Sequence, residues 1–254
     1  MLPNPLFLSV HMYGIMVAVG ILGTFLVLYL YSKIKKVDIK FTDFAFYNGI
    51  ASIVFGFGSA ALFQSVYDYI ENPEAGFRFS GSITFIGGLI GGVLCFVVVY
   101  LIFRKKYTTK LYQVVSIYPC CIIIAHAFGR VGCFFAGCCY GKPTDSFLGV
   151  KFPRLPYEVH PTQLYEAAFL FLLFAVCSYL VLKKNFSHNL SVYLISYGIF
   201  RFFIEFLRDD DRGELVGMIS PSQFWSILMV VAGVVLIFLM KYWQKNDIKT
   251  EGVK

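Results

Sequence analysis

The chain has 254 residues and a formal net charge of +7, with 58% of its residues hydrophobic and 15% charged. Its mean hydropathy of +0.70 leaves too few polar residues to cover a water-facing surface. That excludes a soluble domain and makes lipid the solvent.

Seven apolar segments are predicted to be transmembrane helices, over 11–32, 43–66, 83–103, 111–129, 161–182, 189–207 and 221–241. Each is close to the ~20 residues that cross the hydrocarbon core. The predicted fold is an all-α integral membrane protein, one polytopic domain over 1–254. Met1–Val10 lacks a positive n-region and a small-residue cleavage site, so the first segment is expected to be a retained helix.

Lys33, Lys35, Lys36 and Lys40 follow the first helix, and Arg104, Lys105, Lys106 and Lys110 the third. Lys183 and Lys184 follow the fifth, and Lys241, Lys245, Lys249 and Lys254 the seventh. Intervening loops hold Asp68, Glu71, Glu74, Asp209, Asp210, Asp211 and Glu214 instead. The positive-inside rule then gives N-terminus out and C-terminus in. Basic residues split among four short segments are topology and headgroup signals, and no nucleic-acid partner is expected.

Gly87, Gly88, Gly91 and Gly92 open the third helix and Gly56 and Gly58 lie in the second, a pattern expected to let helices approach closely. Two outer loops are predicted, 67–82 and the Gly- and Pro-rich 130–160. The fourth helix is expected to end at His126 and Arg130, one turn apart on one face. From there to Gly141 the chain sets Cys133, Cys138 and Cys139 among glycines. The fifth helix begins with His160-Pro-Thr-Gln163-Leu-Tyr165-Glu166. The sixth carries Tyr197, Arg201, Glu205 and Arg208 at spacings that place them on one stripe.

Ionisable groups inside a membrane are costly and mark sites. Arg130–Glu166 and Arg201–Glu205 could each be register-fixing ion pairs. Three arginines, two carboxylates and several His and Tyr side chains together exceed that need. Arginine offers a planar fork of donors that matches phosphate, which suits a phospholipid headgroup whose tails stay in the membrane. Glu166 and Glu205 would orient the arginines, and Tyr13, Tyr165 and Tyr197 can donate to ester or phosphate oxygens.

His11-Met-Tyr13-Gly, Gly87-Gly88-Leu-Ile-Gly91, Gly129-Arg130-Val-Gly132 with Gly137 and Gly141, His160 to Glu166, and Tyr197 to Arg208 resemble, in order and spacing, the prolipoprotein diacylglyceryl transferase family. The resemblance spans nearly the whole chain. It implies seven N-out, C-in helices in a bacterial cytoplasmic membrane, with the site facing the outer leaflet. It also implies transfer of the diacylglyceryl group of phosphatidylglycerol to the thiol of a prolipoprotein signal-peptide cysteine, with release of glycerol phosphate. Tyr13, Arg130, Gly141, Tyr197, Arg201 and Glu205 match positions on which that family's activity depends. Departures fall at Ile86, Cys133, Ala136 and Cys138, where the family has histidine, two asparagines and glutamate.

Arg130, Arg201, His126 and Tyr197 are thus the expected catalytic residues, with His126 in place of the missing histidine as base. Tyr13, Gly141, Glu205, Arg208, His160, Gln163, Tyr165 and Glu166 are the expected substrate-binding residues, His160 orienting others from the helix start. Cys133, Cys138 and Cys139 form a possible thiol site with several readings: a lipid-carrying nucleophile, a Cys133–Cys138 disulfide, a metal site completed by His126 or His160, or packing at a tight turn. Cys95, Cys120, Cys121 and Cys177 are expected in the core. No cofactor or metal is expected, since C-x4-C-C is not a usual zinc spacing. A monomer acting on phosphatidylglycerol is expected. The alternative is a divergent paralogue that serves another acceptor or only binds lipid.

Overall fold

The computed structural model describes residues 11–79, 84–107, 109, 114–208 and 220–251. Among these, seven helices are long and apolar enough to cross a membrane. They are α1 (Met12–Ile34), α2 (Ile39–Glu71), α3 (Phe85–Phe103), α4 (Tyr118–Ala136), α5 (Thr162–Lys184), α6 (Asn189–Ile204) and α7 (Pro221–Glu251). A two-residue antiparallel pair, β1 (Val150–Lys151) and β2 (Glu158–Val159), lies between α4 and α5. Leu22, Leu172, Phe203 and Phe238 are all more than half exposed, the pattern of helices solvated by lipid.

The helices fall into two compact units, α2 with α3, and α1 with α4 to α7. In the first, small residues do the packing that the sequence suggests. A Cβ added at Gly88 would lie 3.2 Å from Ala60 Cβ and 3.3 Å from the Gly56 carbonyl, so the two backbones nearly touch. Ile86 belongs to α3, but its side chain lies outside those described. Asp209, Asp210, Asp211 and Glu214 also lie outside the described residues.

The second unit holds every candidate site residue. Here α4 differs from expectation: it starts at Tyr118 rather than 111 and runs to Ala136 rather than 129. Pro119 in its first turn fits the start, where a missing N–H costs nothing. Gly129 and Gly132 do not break it. Gly132 gives α1 room, because a Cβ there would sit 3.1 Å from the Tyr13 ring. The stop comes at Gly137, at φ 71°. Its N–H bonds the Phe134 carbonyl and the Cys138 N–H bonds back to the Cys133 carbonyl, a Schellman cap that only the left-handed conformation closes. Arg130 and Cys133 are therefore helical, not loop residues.

Asn189 positions the start of α6. Fully buried, its amide donates to the carbonyls of Ser116 at 3.1 Å and Cys177 at 2.9 Å, tying α6 to α5 and to the approach to α4. Regular helix in α6 ends at Ile204, and Glu205–Leu207 tightens into a 3-10 turn.

Candidate active site

The centre of the site is Glu166, in the second turn of α5 and 1% exposed. A carboxylate so deeply placed must be paired, because an isolated buried charge costs several kcal/mol. Arg130 of α4 supplies the pair, its Nε 2.9 Å from Glu166 Oε1. Tyr197 of α6 donates its hydroxyl to the same oxygen at 2.5 Å. Glu166 Oε2 has no hydrogen-bond partner among the described residues.

His126, one turn before Arg130, extends this network. Its Nε2 lies 3.3 Å from the Tyr197 hydroxyl and its Nδ1 3.2 Å from that of Tyr193. Tyr197 already donates to Glu166, so its oxygen accepts from His126 Nε2–H. That leaves Nδ1 as the acceptor for Tyr193. The result is a directional chain, Tyr193 to His126 to Tyr197 to Glu166, drawn from α4, α5 and α6.

The second cluster lies on the expected stripe. Arg201, 7% exposed, pairs through Nη1 with Glu205 Oε2 at 2.7 Å and donates from Nη2 to Ser222 at 3.0 Å. Arg208 Nε is 3.8 Å from the same Glu205 oxygen, and Ser220 donates to Glu205 Oε1 at 2.9 Å. Both ion pairs weighed from the sequence are thus formed. Arg201 has five guanidinium N–H donors, and its contacts with Glu205 and Ser222 leave donors for another anion.

The rim is a backbone junction. Gly141 donates its N–H to the His160 carbonyl, and Lys142 to that of Leu207. A Cβ at Gly141 would collide with the Leu207 carbonyl and stand 2.8 Å from Thr162 Cγ2. Thr162 donates to the Cys139 carbonyl at 2.8 Å and Gln163 to that of Cys138 at 2.5 Å, so the first turn of α5 grips the chain that follows α4. His160 Nδ1 lies 3.2 Å from the Tyr165 hydroxyl. Tyr13 is 45% exposed beside Gly132.

All seven cysteines are free thiols. Cys120, Cys121 and Cys177 are buried as expected, while Cys95 is only half-buried. The sulfurs of Cys133, Cys138 and Cys139 lie within 4.8 Å of one another. Hydrogen bonds with the Cys133 and Cys138 thiols, and then Arg208, hold the Cys139 thiol below the usual thiol range. Hydrogen bonding with Cys133 and Cys139, and then burial, push the Cys138 thiol up.

The expected site residues therefore come together around α4, α5 and α6. Tyr193, Ser220 and Ser222 were missed. Tyr193 lies one turn before Tyr197 on the same stripe, so extending the stripe would have found it. Nothing in the local sequence marks the two serines.

The chain is also similar to known proteins over nearly its whole length. A family model described as prolipoprotein diacylglyceryl transferase matches residues 4–239. The chain is 36% identical over 236 residues to the phosphatidylglycerol–prolipoprotein diacylglyceryl transferase of Clostridium tetani, covering 89% of this chain and 92% of that one. It is 30% identical to a second such transferase from Clostridium perfringens, covering 92% of each, and 31% identical to that of a Marinomonas species, covering 91% and 88%. With buried arginines, carboxylates and tyrosines set where the motifs lie, and with a family match over nearly its full length, the chain belongs to the prolipoprotein diacylglyceryl transferase family.

Proposed function

We propose that the chain transfers the diacylglyceryl group of phosphatidylglycerol to the cysteine thiol of a prolipoprotein signal peptide. The relatives are named for that substrate and acceptor. The observation that carries the reading is the pair of carboxylate-oriented arginines, Arg130 on Glu166 and Arg201 on Glu205, within one unit. A phosphate needs such donors, and the charge that builds on it as it leaves needs them more.

In the step, the acceptor sulfur attacks the glyceryl carbon that carries the phosphate. The S–C bond forms, the C–O bond breaks, and its electron pair leaves on glycerol phosphate. Arg130 and Arg201 hold the phosphate in line, with Arg208 beside Glu205 at the edge of the cluster. The thiol proton passes to the network behind Arg130, where Glu166 Oε2 is the unengaged acceptor. His126 and Tyr197 fix its orientation. The donor map supports this division, because both His126 nitrogens are already engaged.

The reading places the site toward the outer leaflet of a bacterial cytoplasmic membrane, supported by the Lys and Arg alternation. Phosphatase fusions after Glu74 and after Lys254 test it; activity of the second and silence of the first would reverse the orientation. For the reaction, purified protein in phosphatidylglycerol vesicles receives a lipobox peptide. The peptide should gain the mass of a diacylglyceryl group as glycerol phosphate appears. A peptide unchanged in mass overturns the assignment.

A further inference from the structure

Cys133, Cys138 and Cys139 are not absorbed by the reaction above, and they are held together by design of the backbone. The Schellman cap folds Cys138 onto Cys133, whose carbonyl accepts both the Cys138 N–H at 3.2 Å and its thiol at 3.6 Å. Cys139 follows in a left-handed conformation, φ 64°, which a non-glycine residue adopts only where its surroundings impose it. Those surroundings are Thr162 and Gln163, which hold the carbonyls of Cys139 and Cys138. The three sulfurs then lie within 4.8 Å of one another. Thiolates sharing a tetrahedral zinc ion are about 3.8 Å apart, from a Zn–S distance of about 2.3 Å. Rotation of the side chains covers that difference.

We propose that Cys133, Cys138 and Cys139 form a three-thiolate site for a soft d10 cation, zinc first among them, with a fourth coordination position left open. Three thiolates and a divalent ion sum to one negative charge. Arg208, which hydrogen-bonds Cys139, and Arg130, one turn before Cys133, offset it. Chain spacing alone argues against this, since C-x4-C-C is not a common zinc pattern. The cap supplies what the spacing lacks, because it returns Cys138 to the level of Cys133. Three protein ligands with an open fourth position is the arrangement of catalytic rather than structural zinc.

The identity of the fourth ligand rests on the transferase reading; the ion site does not. On that reading the acceptor cysteine takes the position. Its sulfur displaces a water and its proton passes to the same acceptor, Glu166 Oε2, so it is held as a thiolate on the ion.

The test uses the full chain in detergent, purified without chelator. Elemental analysis should find one zinc per chain. Cobalt substitution should give a sulfur-to-metal charge-transfer band. Cys133→Ser, Cys138→Ser and Cys139→Ser should each lose the stoichiometric ion and the band while keeping the helical circular dichroism of the parent. Chelation and reloading of the unsubstituted protein gives the same readout without a variant. Absence of ion and band in the reduced protein overturns the site, as does a band that persists in the triple variant or a disulfide among the three thiols. Transfer that proceeds unchanged in metal-free protein overturns the fourth-ligand assignment and leaves the transferase reading standing.

Discussion

Arg130 Nε lies 2.9 Å from Oε1 of Glu166, and the carboxylate is 1% exposed. Neither charge is stable there without the other. Glu166→Gln should cost roughly 3–5 kcal/mol, the usual cost of stranding a buried charge. Arg130→Met with Glu166→Leu should restore the melting temperature but not transfer. Thermal unfolding in detergent and the transfer assay check both, and recovery of transfer in the double variant would make the pair purely structural.

Tyr197 joins the carboxylate to His126 by one hydroxyl. Tyr197→Phe keeps the ring and removes both bonds. A hydrogen bond to a charged group contributes roughly 1.5–3 kcal/mol. The turnover rate should therefore fall by at least about tenfold, with little change in the helical circular dichroism. An unchanged turnover rate would remove Tyr197 from the network.

Much of this site is legible in the sequence because membrane burial makes charge conspicuous. Arg201, Glu205 and Arg208 stand out by spacing, and their pairs form. The Gly-rich run after Gly129 has the composition of a loop, so the expected end of α4 falls seven residues short of Ala136. Gly132 lies inside the helix as a contact point that receives Tyr13. That error hid the geometry of the thiols, since Cys133 is helical and only the Gly137 cap brings Cys138 beside it. The engagement of both His126 nitrogens depends on Tyr193 and Tyr197 arriving from another helix. Residue spacing within α4 carries no trace of it.

Gly141 sits where three elements meet. Gly141→Ala should be among the most damaging single-methyl changes in the chain, because the Leu207 carbonyl is backbone and cannot swing aside. Reduced transfer together with a lowered melting temperature is expected. Wild-type stability in this variant would show that the junction can open without cost.

Gly88 tests the α2–α3 unit separately. Gly88→Leu forces side-chain atoms into Ala60 and the Gly56 backbone. Overpacking of this kind costs roughly 1–3 kcal/mol. Melting of the purified variant should drop accordingly, and an unchanged melting temperature would mean that the two helices do not need their close approach.

The phosphate grip is tested most directly by Arg130→Ala and Arg201→Ala in the vesicle assay with labelled phosphatidylglycerol and a lipobox peptide. Losing an electrostatic stabiliser of the leaving group costs about 10²–10³ in rate. Each variant should therefore fall to that level or below while the unsubstituted protein converts the peptide. Transfer at the unsubstituted rate in either variant would contradict the grip.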